Sequence, residues 1–573
     1  MLKFQPPRTI LAEFATQRLA SPRVLWVSKD RFSESAALGH AFCVPLGTEV
    51  DYLPEHRTQN ADRYGGYGVG YCGGSARCGS YGDVQIKGVG LTPLVGSRPG
   101  APVDPWHSSG TVTLNEAGRE AIWSGICDAV LPFGAVPATA LVLTGTRCQR
   151  TDSAPGVSIL NRRALFMRTT ALRPAHFLPN VHFSTPLVRE TGVREDYLRV
   201  RKMIRALPDA FEDAFGSEVC GESATARVNS GMQAMARRFA WQVAAAFAKR
   251  LYHGSLNCTN IALDGRYVDF GTMTAVHAYR RQAGSPLWPD QWTQHSPLLR
   301  TLSSFLFHVG KHLDCPNIKM LLSTGELKAE FSTTLSNRAE MELLKQTGIP
   351  EVAIAAYPDA RRSRTYRCIK DIYSRGADTS FVWRGDDDPA MVAVQPLQSL
   401  GRYDLNEIFA KAAPCHDSAQ LRRTVSALID DNGLAREFCE VYTDLMEWFL
   451  ANHGGTAPAV LRVFLSRQAA RLNADVSHLT RESLDTAMLV FEEDPSGMDE
   501  FIDRTVRHAR EIVDDEPPEL VDSNGRRIAG LNAQLETVKH MTQRDVVALF
   551  AASPLQCLNA QANAGLGAPC ATA

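Results

Sequence analysis

The stretch from Val228 to Tyr252 restricts the fold more than any other part of the chain. Met235, Phe239, Val243, Phe247 and Leu251 recur there every fourth residue without a proline. Apolar residues at that spacing fall on one side of a 3.6-residue helix, so the pattern predicts a long helix with one buried face. The helix runs straight into HGSLNCTNIALDGRYVDFG, a loop dense in polar groups. A buried helix that delivers such a loop implies a core large enough to hold it, and 573 residues suffice for about two to four packing units.

Upstream the texture differs. From Val24 to Thr170 the chain is rich in Gly and Pro, and VLWVS, DVQIKGVG, ATALVLTGT and ALFMRTT read as strands bounded by turn residues. One helix is expected among them, starting near Thr113, with Ile122, Ile126 and Val130 four apart and Pro132 ending it. After Leu313 amphipathic helices dominate, including Ala435–Leu450 and Pro458–Leu472. The class expected is α+β. The acidic clusters Asp386–Asp388, Glu492–Asp494 and Asp514–Glu516 read as solvated charge.

Charge and composition narrow the function. Lys+Arg 61 against Asp+Glu 62 leaves a net charge of −1, so bulk electrostatic binding to nucleic acid is not expected. No apolar run reaches the about 18–20 residues a membrane span needs, and the N-terminus lacks a cationic start followed by an apolar core. A cytoplasmic protein without membrane or nucleic-acid partners is therefore expected. The 13 cysteines form no CxxC pair or zinc spacing, and Cys72 and Cys78 read as small half-buried thiols.

Two constellations carry chemistry. Lys87 is the only lysine between Lys29 and Lys202, and it follows a segment holding Gly65, Gly66, Gly68, Gly70, Gly73, Gly74, Gly79 and Gly82. Glycines let backbone approach phosphate closely and an ammonium supplies a point charge, although a surface lysine beside a loop fits the same residues. The second is ordered: His253-Gly254, then Asn260, then Asp269-Phe270-Gly271. In the protein-kinase fold an Asn and a DFG Asp offer hard oxygens to magnesium, and a strand lysine pairs with a helix glutamate. Glu120 lies on the expected helix, so Lys87, Glu120, Asn260 and Asp269 stand in kinase order.

These segments resemble the selenoprotein O (SelO) family over roughly residues 60 to 275. DVQIKGVGLTP is similar to the family's LQLKG run with its Gly-x-Thr-Pro turn, and HGSLNCTNIALDGRYVDFG to its His-Gly…Asn-Thr-Asp-Asn…Asp-Tyr-Gly segment. RYGGYGVGYCGG, GREAIWSGICDAV and GAVPATALVL resemble its RYGGHQFG, REF-containing and GIPTTRAL segments. The resemblance implies a two-lobed protein-kinase-like fold with the nucleotide inverted. It divides the chain into an N-lobe (1–190), a C-lobe core (191–320) and a helical C-terminal extension (321–573). It also implies transfer of AMP from ATP, with Mg or Mn, to a hydroxyl of a protein or peptide. On it, Lys87 with the following Gly88, Arg77, Arg168 and Arg173 would hold phosphates, Glu120 would pair with Lys87, and Asn260 and Asp269 would hold metal. Without the resemblance, Arg163, Arg168 and Arg173 read as solvated guanidiniums at a strand edge.

Two positions depart from the family. Thr259 replaces the acid before the metal-binding Asn, and Ser255 stands where an ordinary kinase has its catalytic Asp. Neither hydroxyl accepts a proton at neutral pH. A nucleotidyltransferase, an ATP-binding pseudoenzyme that scaffolds a partner, and an MchC-type microcin or peptide maturation factor therefore all stay open. Cys570 near the end resembles the family's terminal redox thiol, which implies a disulfide with a C-lobe cysteine such as Cys315.

Overall fold

A computed structural model describes residues 10–45, 51–96, 110–149, 160–183, 193–276, 293–314, 318–374, 403–453, 458–513, 520–521 and 527–528. Cys315, Cys570, Asp386–Asp388 and Asp514–Glu516 lie outside them. The described residues fall into two compact units. The first is drawn from Met1–Val276, Gln282–Ala339 and Val476–Arg510, the second from His277–Arg281, Glu340–Asp475 and Glu511–Ala573.

The first unit is built on an eight-stranded antiparallel sheet. Its strands in chain order are β1 (Leu11–Leu19), β2 (Arg23–Val27), β3 (Phe42–Cys43), β4 (Tyr52–Asp62), β5 (Cys78–Tyr81), β6 (Val84–Lys87), β7 (Ala138–Gln149) and β8 (Leu160–Thr169). Their spatial order is β2-β7-β8-β6-β5-β4-β1-β3. The four segments read as strands are β2, β6, β7 and β8, while β1 and β4 carry no such signal. Strand residues alternate between faces, which gives β6 its two roles. Ile86 joins Leu165, Met167, Ala140 and Val142 in a core on one face. Gln85 and Lys87 alternate with it and turn to the other.

That other face is covered by α2 (Leu114–Val130), whose start is set by Thr113: its hydroxyl accepts from Glu116 N. Ile122, Trp123 and Ile126 are fully buried. The expectation of a single helix in this half is corrected by α1 (Glu34–Gly39), a short helix capped by Ser33. Further on come α3 (Val193–Arg205), α4 (Leu207–Phe215), α5 (Ala224–Ala248) and α6 (Ser296–His312).

The long helix also differs from its expected bounds. It begins at Ala224, where the Ser223 hydroxyl caps Ala226 N, and it stops at Ala248. Arg250 then adopts φ +60, which breaks the helical ladder. Leu251–Tyr252 becomes β9, paired antiparallel with β10 (Thr274–Ala275). Leu251 is buried all the same, so the four-residue period continues past the helix that it predicts. Between β9 and β10 lies the loop that carries the polar cluster.

Residues of the first unit near the C-terminal end form α7 (Arg481–Met488), α8 (Val490–Glu493) and α9 (Met498–Val513). Glu492 is not simply solvated: its carboxylate accepts from Arg162 N and its carbonyl from Arg162 Nε. The second unit is helical. Asn432–His453 packs against Asp359–Ser374 and Ser418–Leu428, with Phe438, Leu445 and Phe449 buried. The expected Ala435–Leu450 lies inside the first of these, and Pro458–Leu472 is helical as read. Among the described residues no helix is long and apolar enough to cross a membrane.

Candidate functional site

Lys87 ends β6 with its ammonium in the interior, 2% exposed, so the surface-lysine reading does not hold. Its Nζ donates to Glu120 Oε1 at 2.6 Å and to Asp269 Oδ1 at 2.9 Å. These carboxylates reach it from distant parts of the chain. Glu120 comes from the buried face of α2. Asp269 follows β9 and its loop, in a left-handed conformation with φ +66. A non-glycine residue held there carries local strain that the surrounding structure must offset.

A third carboxylate completes the cluster. Glu116 Oε1 lies 2.6 Å from Arg77 Nη2 and 3.4 Å from Lys87 Nζ. Glu116 was not read from the sequence, although it precedes Glu120 by four residues and so shares its helix face. Burial raises its pKa, but Arg77 and then Lys87 outweigh that and draw it down to about 2. Lys87 is held above the ordinary lysine value, since Asp269 and Glu120 overcome the burial that opposes its charge. Asp269 is held well below the usual carboxylate range against burial, by Lys87, Arg168 and Arg77. Glu120, fully buried, is pushed up by desolvation despite Lys87.

Two arginines lie beneath this cluster. Arg168 and Arg173 are 2% and 4% exposed, which corrects the solvated-edge reading; Arg163, at 1%, is buried too and donates to Gly88 O at 3.0 Å. Arg168 Nε and Arg173 Nη2 both donate to Gln85 Oε1, at 2.9 and 3.2 Å. Gln85 in turn donates to Asp62 Oδ2 at 2.8 Å. Arg168 Nη1 lies 3.7 Å from Glu120 Oε2, and among the described residues neither it nor Arg173 Nε has a hydrogen-bond acceptor. Gln85, two residues before Lys87 on the same strand face, is the second residue the sequence reading missed.

Gly88 turns the chain away from the site. It has φ +95, and a Cβ there would stand 2.7 Å from Ala164 O, so no side chain is accommodated. Arg77, expected at phosphate, is instead committed to Glu116 and to Thr111 O. Tyr67 of the glycine-rich segment accepts, through its carbonyl, from Cys258 Sγ at 3.0 Å. That segment therefore packs on the 253–260 loop.

Inside the loop Asn260 Nδ2 donates to Ser255 O and Oγ, at 2.8 and 3.0 Å. Thr259 Oγ1 lies 2.6 Å from Asn257 Oδ1 and 2.9 Å from Asn260 Oδ1. One hydroxyl proton cannot serve both acceptors. With the shorter bond made, Asn260 Oδ1 keeps lone pairs for a cation. Asp269 is one-third exposed and anionic. Among the described residues no group of three His, Cys, Asp or Glu suits a metal, so a metal held by protein side chains alone is not supported. An Asn oxygen with one carboxylate does fit magnesium, which takes few protein ligands and completes its shell with water and substrate phosphates. The ten described cysteines, Cys72 and Cys78 included, form no disulfide with one another.

His253 precedes the loop and is fully buried. Its Nε2 faces Val268 O at 3.2 Å, and burial drives its pKa down to about 4. A neutral ring pinned in this way holds the loop to the Val268–Asp269 segment rather than exchanging protons with a substrate. No protein-family model and no curated protein matches the chain.

Proposed function

We propose that the first unit is a protein-kinase-like, Mg-ATP-dependent nucleotidyltransferase that moves AMP to a hydroxyl of a protein or peptide, in the manner implied by its resemblance to SelO. One observation carries the reading: a buried lysine at the end of a central strand bridges a helix glutamate and an aspartate 182 residues later in the chain. That is the charge geometry a triphosphate clamp requires. The unpartnered N–H groups on Arg168 and Arg173 support it, since a buried guanidinium gains most from an anionic acceptor. Asn260 and Asp269 would hold magnesium, which would neutralise phosphate charge when bound with the nucleotide.

In the transfer the acceptor oxygen bonds to the α phosphorus and the bond to pyrophosphate breaks. The hydroxyl proton passes to solvent or pyrophosphate, because Ser255 and Thr259 supply no carboxylate. Such transfer relies mainly on positioning and electrostatics, and a missing base costs about 10²–10⁴-fold.

A pseudoenzyme reading is favoured by one specific feature. The Thr259 hydroxyl is committed to Asn257 and so is not free to orient an acceptor, and Ser255 Oγ already accepts from Asn260 and Thr272. Incubation with α-labelled and γ-labelled ATP and Mg²⁺ or Mn²⁺ separates the readings. Label transferred from the α position alone supports nucleotidyl transfer, and from the γ position alone a kinase. Tight binding without transfer supports the pseudoenzyme.

A further inference from the structure

We propose that residues 480–506 are a built-in clamp that positions the two carriers of Lys87's carboxylates, α2 and the strand after Asp269. The positioning role rests on the nucleotide-site reading above, whereas the mechanical clamp does not.

The tie to α2 is an ion pair. Arg119, next to Glu120 in sequence, places Nη1 2.9 Å from Asp485 Oδ1 and donates to Oδ2 at 3.1 Å. The tie to the other carrier starts one turn earlier on the same helix, α7. Arg481 N donates to Thr274 Oγ1 at 2.9 Å, and Thr274 opens β10, five residues past Asp269. A single turn of α7 is therefore tied both to the neighbour of Glu120 on α2 and to the strand that follows Asp269.

Close packing follows along α2. A Cβ on Gly118 would lie 2.2 Å from Met488 Cε and 2.6 Å from Met498 Cε. One on Gly125 would lie 2.9 Å from Val506 Cγ2. Glycine in a helix interior is disfavoured relative to alanine, so two of them on the face turned toward 488–506 are explained by the contact they permit. The clamp is anchored beyond α2 as well: Trp26 Nε1 donates to Asp503 Oδ1 at 2.7 Å, and Arg162 Nη2 to Glu493 O at 2.7 Å. A helix gripped on one side by the sheet and on the other by α7–α9 has little freedom to swing Glu120 away from Lys87. Residues 119, 274, 481 and 485 are thus positioning residues, acting through Glu120 and Asp269.

Asp485→Ala and Thr274→Val each remove one tie, the second without leaving a charge behind. In the full chain Asp485→Ala is expected to speed amide exchange in Leu114–Val130, and Thr274→Val exchange in the β9–β10 pair, each relative to β7 and β8, and both to weaken Mg-ATP binding in calorimetry by about tenfold. The charge-swapped pair Arg119→Asp with Asp485→Arg is expected to restore the exchange and the binding lost in Asp485→Ala, which a nonspecific loss of stability would not allow. A folded Asp485→Ala protein with unchanged exchange across Leu114–Val130, or a folded Thr274→Val protein with unchanged exchange in the β9–β10 pair, would overturn the clamp. Should the native protein bind no Mg-ATP, the nucleotide reading fails and the exchange comparison alone decides the clamp.

Discussion

Substituting Lys87→Met should destabilise the first unit, not merely inactivate it. The ammonium is 2% exposed and lies within 3.4 Å of Glu120, Asp269 and Glu116. Removing one partner of a buried pair typically costs 3–5 kcal/mol, because the remaining charge is left uncompensated. Arg77 stays on Glu116, and Arg168 stays 3.7 Å from Glu120, so the lower end, about 3 kcal/mol, is expected. Glu120 bears most of it, being fully buried and already pushed toward protonation. A carboxyl whose folded pKa is raised is fully destabilising above that pKa, and the cost falls away only as the pH drops through it to the unfolded value. The deficit of Lys87→Met against the native protein should therefore shrink as both are taken from neutral to acid pH. Adding Glu120→Gln should recover much of the loss at neutral pH. Urea unfolding of the four proteins of this double-mutant cycle measures the coupling directly. A Lys87→Met protein within about 0.5 kcal/mol of native, the range of ordinary surface substitutions, would refute a buried lysine held by carboxylates.

Other outcomes follow from neighbouring residues. Gly88→Ala should cost about 1–3 kcal/mol in thermal unfolding, since φ +95 and the Ala164 carbonyl both oppose a Cβ; an unchanged melting temperature would contradict that turn. His176 and His253 are buried with pKa values lowered to about 3 and 4. Both stay neutral in the fold while the unfolded chain protonates near pH 6.5, so stability present above that pH is lost as it falls toward 4, by about 1.4 kcal/mol per unit for each. A flat urea midpoint between pH 7 and 5 would contradict this. Thr259→Asp should raise transfer from ATP toward the about 10²-fold a positioned base contributes; a fully inactive Thr259→Asp protein that still binds ATP would favour the pseudoenzyme.

The site was legible where chemistry is spelled by rare residues in order. A solitary lysine in an Arg-rich chain, a glutamate on the helix that follows and an Asn…Asp pair beyond a long helix bring out Lys87, Glu120, Asn260 and Asp269. Lys87, Glu120 and Asp269 meet directly. Glu116 and Gln85 escaped because each reads as an ordinary polar residue until its partners are in place, although their spacings from Glu120 and Lys87 carried the signal. The β1–β4 ribbon escaped for another reason. Much of Tyr52–Asp62 is exposed, so YLPEHRTQNAD shows none of the apolar alternation that a half-buried strand displays. The 480–506 segment was read only as amphipathic helix and acidic loop, since nothing local in it records that Asp485 meets Arg119, 366 residues away.

Calorimetric titration of ATP into the full-length protein, with and without magnesium, alongside Asp269→Asn, tests the nucleotide site most directly. Metal-dependent binding to the native protein is expected, with the magnesium-dependent part of the affinity lost in Asp269→Asn. Native protein that binds no ATP, or an Asp269→Asn variant that keeps the full magnesium dependence, would contradict a nucleotide site centred on Lys87 and Asp269.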